Sequence, residues 1–279
     1  MSVASFAAAL ALASASGEEK APAKQPEPVA TCEHVRVAAR GKEWSGWLLD
    51  PESEGGYALL ADEGEFRLLP SAPPPKVLER TLRPVTEAPS AALVAGLGHA
   101  SERIRERCEE LLLEQGSPAL APLGEALVDR SAETRRRALG IVATQAPRFP
   151  KQAKRLLRRV TGCLNDGDER VRQAALHAWS LYEGQEHELL ARCTDLLKLD
   201  ASELVRHEAI LCLGRTRDPH AIDPLLAHLE GCDSRSLRLV TFDSLRRLTG
   251  RNLKRDEEAW RAWWTNHRAE VLGERDDEE

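Results

Sequence analysis

Between about Pro89 and Gly250 apolar residues recur at helical spacing and are interrupted every dozen or so positions by short polar stretches. The clearest window is Asp166 to Leu176, where an Asp is followed six residues later by Arg172 and three further on by Ala175. The same arrangement returns at Asp129, Arg135 and Ala138 and at Asp200, Arg206 and Ala209. Counted from Arg105, Arg135, Arg172, Arg206 and Arg238, the position three on is Cys108, Ala138, Ala175, Ala209 or Thr241. The position seven on is Leu112, Val142, Trp179, Leu213 or Leu245. A small and then a large residue on one helical face is what close helix stacking requires. The pattern predicts five helix pairs: 90–97 with 101–114, 118–128 with 132–145, 151–164 with 169–182, 186–198 with 202–215, and 221–229 with 234–248. Chain breaks at Gly116, Pro150, Gly167, Gly184 and Asp218-Pro219 are short enough to make each pair antiparallel.

An Asp just ahead of a helix can satisfy free backbone N–H groups, and an Arg in the next turn can reach that Asp or the Asp of the neighbouring unit. Asp129, Arg135, Asp166, Arg172, Asp200 and Arg206 are therefore expected to form a structural ladder between stacked units. At Val171-Arg172-Gln173-Ala174-Ala175-Leu176 and Val205-Arg206-His207-Glu208-Ala209-Ile210 the chain resembles HEAT repeats. The resemblance covers about Pro89 to Gly250 and implies an α-solenoid of antiparallel helix pairs. It weakens at both ends, because the first unit lacks the Asp and the last has Asp233 one residue late before Arg238.

Outside residues 89–250 the period changes. From Glu33 to Leu69 short β-type runs, among them His34 to Val37, Trp44 to Leu49, Tyr57 to Leu60 and Glu65 to Leu69, alternate with Gly- and Pro-containing breaks. A small antiparallel, SH3-like domain is expected over residues 32–70, with Trp44, Trp47 or Phe66 packed on its own core or on the first helices. Residues 71–88, which open with a proline run, are expected to be a linker. The fold class is thus mainly α: a solenoid of HEAT-like helix pairs behind a small N-terminal antiparallel β-domain. Residues 251–272 carry Trp260, Trp263 and Trp264 on one helical face, read as a cap over the last repeat. This ending resembles the tails of bacterial exported or envelope HEAT-repeat proteins. Residues 273–279 form an acidic tail. At the other end, residues 1–16 are Ala-, Leu- and Ser-rich and close on Ala13-Ser14-Ala15, which suits a signal peptide and export to the periplasm or envelope. Without cleavage and export of that segment the chain would be cytoplasmic. Residues 17–31 read as a disordered linker.

Charge narrows the functional classes. The chain of 279 residues carries a formal net charge of −6, which disfavours non-specific nucleic-acid binding by the molecule as a whole. No apolar run is long enough to span a membrane. Six cysteines show neither a CxxC nor a zinc-type spacing. Most occupy apolar helical positions; for an exported chain Cys193–Cys212 and Cys212–Cys232 are both candidate bridges, and spacing does not choose between them. His187-Glu188 and His207-Glu208 are similar to the iron-binding His-Glu pairs of deoxyhypusine hydroxylase, a HEAT-type protein, but only His207-Glu208 falls in a second helix. A solvated polar face is therefore expected there, with no metal and no cofactor. No nucleophile elbow, phosphate-binding Gly loop or HExxH occurs, so no catalytic residue is assigned and the chain is expected not to be an enzyme.

One electrostatic feature stands out. Lys151, Lys154, Arg155, Arg158 and Arg159 follow i, i+3, i+4, i+7, i+8, and no acid occurs from Thr134 to Asn165. With Arg136 they compose a basic stripe suited to a protein partner or another anionic ligand. A second surface for a protein partner is expected on the concave side, where second helices would present Glu106, Gln173 and His207. The function these features suggest is a non-enzymatic interaction scaffold. The alternatives are a metal-dependent or lyase-like HEAT-repeat enzyme and binding of nucleic acid or an anionic polymer through the stripe.

Overall fold

A computed structural model describes residues 30–53, 56–70 and 75–273. The expected leader, nearly all of the linker at 17–31 and the acidic tail beyond Gly273 lie outside the described residues.

The N-terminal sheet has five antiparallel strands: β1 (Thr31–Ala39), β2 (Lys42–Ser53), β3 (Gly56–Ala61), β4 (Phe66–Pro70) and β5 (Lys76–Pro84). Their order is β4-β3-β2-β1-β5. The fifth strand corrects the expectation of a linker over 71–88. β5 pairs with β1 from Thr31↔Pro84 to Ala38↔Lys76, yet most of its side chains are solvent-exposed. Backbone pairing holds it at the sheet edge, so it leaves no hydrophobic alternation to read.

Both faces of the central strands are buried. Cys32, Trp47, Leu49, Ala58 and Leu60 join the core shared with the helices, with Phe66 packed against it. Val35, Val37, Leu48, Leu59 and Leu69 form a separate cluster on the other face, against which Trp44 and Tyr57 pack. So the aromatic residues serve packing as expected. Two close approaches need glycine. A Cβ on Gly46 would meet the Leu60 carbonyl oxygen at 2.4 Å, and one on Gly96 would meet Cys108 Sγ at 2.4 Å and Phe66 Cζ at 2.6 Å. Gly96 thus lets the sheet seat directly on the first helix pair.

The helical part runs α1 (Ser90–Gly96), α2 (Glu102–Gln115), α3 (Ser117–Ala126), α4 (Ala132–Gln145), α5 (Pro150–Ala153), α6 (Leu157–Gly162), α7 (Glu169–Trp179), α8 (Glu186–Leu199), α9 (Glu203–Leu213), α10 (Ile222–Glu230), α11 (Arg235–Thr249) and α12 (Glu257–Leu272). Second helices α2, α4, α7, α9 and α11 stack on one another as one layer, and the first helices form the other. The small and large positions read from the sequence are all buried: Cys108, Ala138, Ala175, Ala209 and Thr241, then Leu112, Val142, Trp179, Leu213 and Leu245. The helix expected at 151–164 is not continuous. It is α5, a 3₁₀ turn at Lys154–Leu156, α6, and a second 3₁₀ turn at Cys163–Asn165. Like charges at i, i+4 with no acid to offset them disfavour a regular helix there.

The ladder is present, with a changed role for its Asp. Each Asp folds the turn before the helix rather than capping the helix itself, accepting the N–H of the residue two on: Asp129 from Ser131 (2.7 Å), Asp166 from Asp168 (2.9 Å) and Asp200 from Ser202 (2.9 Å). The Arg of the same unit then donates to backbone carbonyls of that turn, as Arg135 does to Asp129 and Arg130 and Arg172 to Asp166 and Gly167. Its other two nitrogens cross to the next unit. Arg135 Nε and Nη2 each lie 2.7 Å from the Asp166 carboxylate, and Arg172 holds Asp200 in the same way at 2.8 Å. Asp129 has no ion pair among the described residues, because Arg105 turns to Glu102 in its own helix. Arg137 bridges these first two units instead, binding Glu102 and Glu109 from α4. The Asp of the first turn is replaced by His99, whose Nδ1 accepts the Ser101 N–H at 3.0 Å.

Trp260 and Trp264 of α12 are buried at the end of the array, and Trp264 Nε1 donates to Asp223 at 2.7 Å.

Both rung carboxylates are titrated downward. The Arg172 guanidinium holds Asp200 below the usual carboxylate range. For Asp166 burial pushes upward, and Arg135 with the Asp168 N–H outweighs it. A folded-state pKa below the unfolded one gives stability that is complete above about pH 4 and is lost as pH falls through the folded value. With side chains only 17% and 6% exposed for Arg172 and Asp200, Asp200→Asn is expected to cost about 2–4 kcal/mol at pH 7. It should also flatten the loss of stability between about pH 4 and pH 2; urea titrations at pH 7, 4 and 3 measure both. Gly96→Ala should cost about 1–3 kcal/mol by overpacking against Phe66 and Cys108, read by the same denaturation.

Candidate functional site

Most arginines of the array are spent on carboxylates or carbonyls, and this makes the exceptions informative. Lys151, Lys154, Arg155 and Arg158 are exposed and have no carboxylate partner among the described residues. Arg159, the fifth member of the stripe, pairs with Glu125 of α3 at 2.8 Å across a solvent-exposed contact. The broken first helix of the third unit leaves all five cations exposed, so the stripe survives the loss of helical regularity.

Arg136 does not belong with them. It sits on α4 in the second-helix layer, donates to both Glu133 oxygens at 2.7 and 2.9 Å, and is neutralised there. Arg136 first, and then Arg137, hold the Glu133 carboxyl down to about 2 against its partial burial. The acid sits three residues earlier on the same helix, which was visible in the sequence; the stripe's own segment contains none.

Beside the stripe lies a cleft of about 270 Å³ lined by Ala146, Pro147, Pro150, Leu157, Leu181 and Tyr182, with Lys151 and Lys154 at its edge and Glu183 also lining it. Its walls come from the segment before α5, from α6 and from the end of α7. The Tyr182 hydroxyl donates to the Ala153 carbonyl at 3.1 Å, and burial pushes its pKa up to about 12. Tyr182 is thus a fixed wall. An apolar cleft edged by unpaired cations can take an apolar side chain whose neighbours are acidic. The sequence showed the cations but not the cleft, since Leu157 opens α6 whereas Leu181 and Tyr182 lie in the turn after α7.

The second-layer candidates are more dispersed. Glu106 is exposed on α2, whereas Gln173 on α7 and His207 on α9 are half-buried. The expectation of a solvated polar face at His207-Glu208 is corrected: Glu208 is buried, 3.0 Å from His177 Nδ1 and 3.6 Å from Arg215. Glu208 points across to the preceding unit, which sequence spacing alone does not reveal. His187 and Glu188 are exposed on the first-layer helix α8. Among the described residues no three His, Cys, Asp or Glu side chains group closely enough to hold a metal ion. All six cysteines are free thiols, Cys193 and Cys212 being buried neighbours whose mutual hydrogen bond, and then burial, raise the Cys193 pKa. Among the described residues no helix is long and apolar enough to cross a membrane.

The class this geometry defines is an α-solenoid of stacked helix pairs carrying a small β-sheet at its N-terminal end. Residues 158–246 match the family model described as HEAT repeats. Among solved structures, a designed armadillo repeat protein in complex with the peptide (KR)4 is 20% identical, with a TM-score of 0.42 and coverage of 57% of this chain and 81% of its own. A set of computationally designed armadillo repeat proteins for modular peptide recognition gives 20% identity, a TM-score of 0.41, and coverage of 56% and 81%. The YibA protein of Escherichia coli gives 18% identity, a TM-score of 0.45, and coverage of 58% and 62%. No curated protein matches.

Because the stripe's free cations serve no internal contact, replacing Lys151, Arg155 and Arg158 together by Glu should shift stability by no more than about 0.5 kcal/mol per site. Thermal unfolding of the variant beside the original chain checks this. A collapse of the fold would mean the stripe is structural.

Proposed function

We propose that the chain is a non-enzymatic interaction scaffold that takes an acidic segment of a protein partner, with an apolar anchor, on the third helix pair. The observation that carries this reading is the set of four exposed, unpartnered cations, Lys151, Lys154, Arg155 and Arg158, beside the cleft lined by Leu157, Leu181 and Tyr182. Cations free of internal partners keep their full charge for a ligand. They set association rate and register more than affinity, while the apolar anchor supplies the desolvated contact. A protein segment fits better than nucleic acid, since apart from Phe149 no aromatic residue interleaves with the basic residues to stack bases. The net charge of −6 on the chain as a whole also disfavours a long polyanion. Second-layer residues such as Glu106 and Gln173 offer the partner a further surface. Export remains part of the proposal, resting on the composition of Met1 to Ser16; if that segment is not cleaved, the same surface would serve a cytoplasmic partner.

A display library of short acidic peptides, each with one Leu, Phe or Trp, tests the reading on the full chain. Peptides combining acids with the apolar residue should be enriched, and Arg155→Glu with Arg158→Glu should weaken them about tenfold or more. Their affinity should fall with added salt. Enrichment without acids, or tighter binding of an oligonucleotide than of any peptide, would remove the proposal.

A further inference from the structure

The ladder is interrupted once inside the array with no substitute. By register, Arg135 meets Asp166 and Arg172 meets Asp200, each acid standing six residues before the next unit's own Arg. The residue six before Arg238 is Cys232, which cannot take that place. Asp233 follows it but is exposed and has no ion pair among the described residues.

Arg206 is left incompletely satisfied. Its Nη1 donates to the Asp200 carbonyl at 3.2 Å, and its Nη2 has only a long, exposed contact of 3.9 Å to Glu203. Its Nε is buried with no acceptor among the described residues. A buried N–H without a partner costs about 1–3 kcal/mol, so an acceptor brought to it is strongly favoured. Where the rung should be there is instead a cavity of about 470 Å³, lined by Arg206, Lys198, Glu203, Pro224, His228, Cys232, Asp233, Ser234 and other groups of the fourth and fifth units. His228 also keeps a buried Nε2 without a partner. Burial, then Arg206 and Arg238, push the His228 imidazole below its ordinary value. Arg238 itself is engaged by the Leu229 carbonyl and Glu257. The acids at the site are Glu203, 59% exposed and partly bonded to Ser234, and Asp233.

We infer that the cavity between the fourth and fifth helix pairs is a binding site for a carboxylate, which docks on Arg206 where the other units place their own Asp. The two intact rungs give the template: a carboxylate lying across Nε and Nη2 at about the distance of Asp200 from Arg172, 2.8 Å. Such a bidentate, charge-assisted pair is selective for a planar carboxylate. Lys198 adds charge at the rim, and the His228 imidazole is available as a further polar contact. The carboxylate can be a free small acid or an acidic side chain of a protein; the shared chemistry is the same. This site is separate from the stripe on the third unit and does not depend on it.

The Arg206 Nε–H resonance in the full chain reports occupancy directly. Acetate, acetyl-aspartyl amide and inorganic phosphate are titrated in turn. A saturable shift with acetate and with the aspartyl probe supports the inference for either source, and a shift with the aspartyl probe alone assigns the site to a protein's acidic side chain. Arg206→Gln, which removes that resonance and is therefore read by titration calorimetry beside the original chain, should weaken binding about tenfold or more. Cys232→Asp restores the missing rung from within: it should raise the unfolding midpoint and abolish the response to both carboxylates. If that variant fails to fold, loss of carboxylate binding in Arg206→Gln still decides. No saturable shift with any carboxylate, or a response to phosphate alone, overturns the inference.

Discussion

The planar fork of an arginine, held by its own turn and by the next unit's carboxylate at once, is the contact on which this molecule depends. Arg135 and Arg172 each use one terminal nitrogen to hold the carbonyls of the turn that precedes their helix. The other two nitrogens close on Asp166 or Asp200 of the following unit. A single side chain therefore fixes a loop conformation and a stacking register together. That matters in a solenoid, where each helix pair touches only its neighbours and no distant contact can correct an error of register. The apolar positions give the stack most of its driving force, since the small residue beneath each Arg lets the helices approach and the large one fills the space beyond.

The same economy separates structural charge from functional charge. Arg135, Arg136, Arg137, Arg172 and Arg261 are all committed to carboxylates within the molecule. Other arginines, among them Arg130, Arg170, Arg217, Arg235 and Arg247, are also exposed without an ion pair among the described residues, but two groups border the clefts described above: the exposed cations of the broken first helix in the third unit, and the half-satisfied Arg206 beside an empty rung. Each lies where the repeat departs from regularity.

Much of this could be read from the chain because helical period and Asp-to-Arg spacing are local signals. The positions three and seven residues after each Arg identify the buried face of α2, α4, α7, α9 and α11 without error. Three features were hidden for physical reasons. β5 is an exposed edge strand, so pairing with β1 rather than side-chain pattern creates it. The cleft at Tyr182 and the burial of Glu208 arise between helices, and one-dimensional spacing does not carry that information. Arg136 was grouped with the stripe by charge alone, although Glu133 three residues before it already foretold its partner. The vacancy at Cys232 was legible as a late Asp233, but its consequence for Arg206 appears only once the two units are stacked.

Native-state hydrogen exchange resolved by helix tests most directly whether the rungs set the cooperativity of the array. The account predicts that α4, α7 and α9, joined by the Arg135–Asp166 and Arg172–Asp200 rungs, open together at the highest free energy, while α10, α11 and α12 beyond the missing rung open separately at a lower one. Uniform protection across the junction between α9 and α10, or a break between α4 and α7 where a rung is intact, would contradict it.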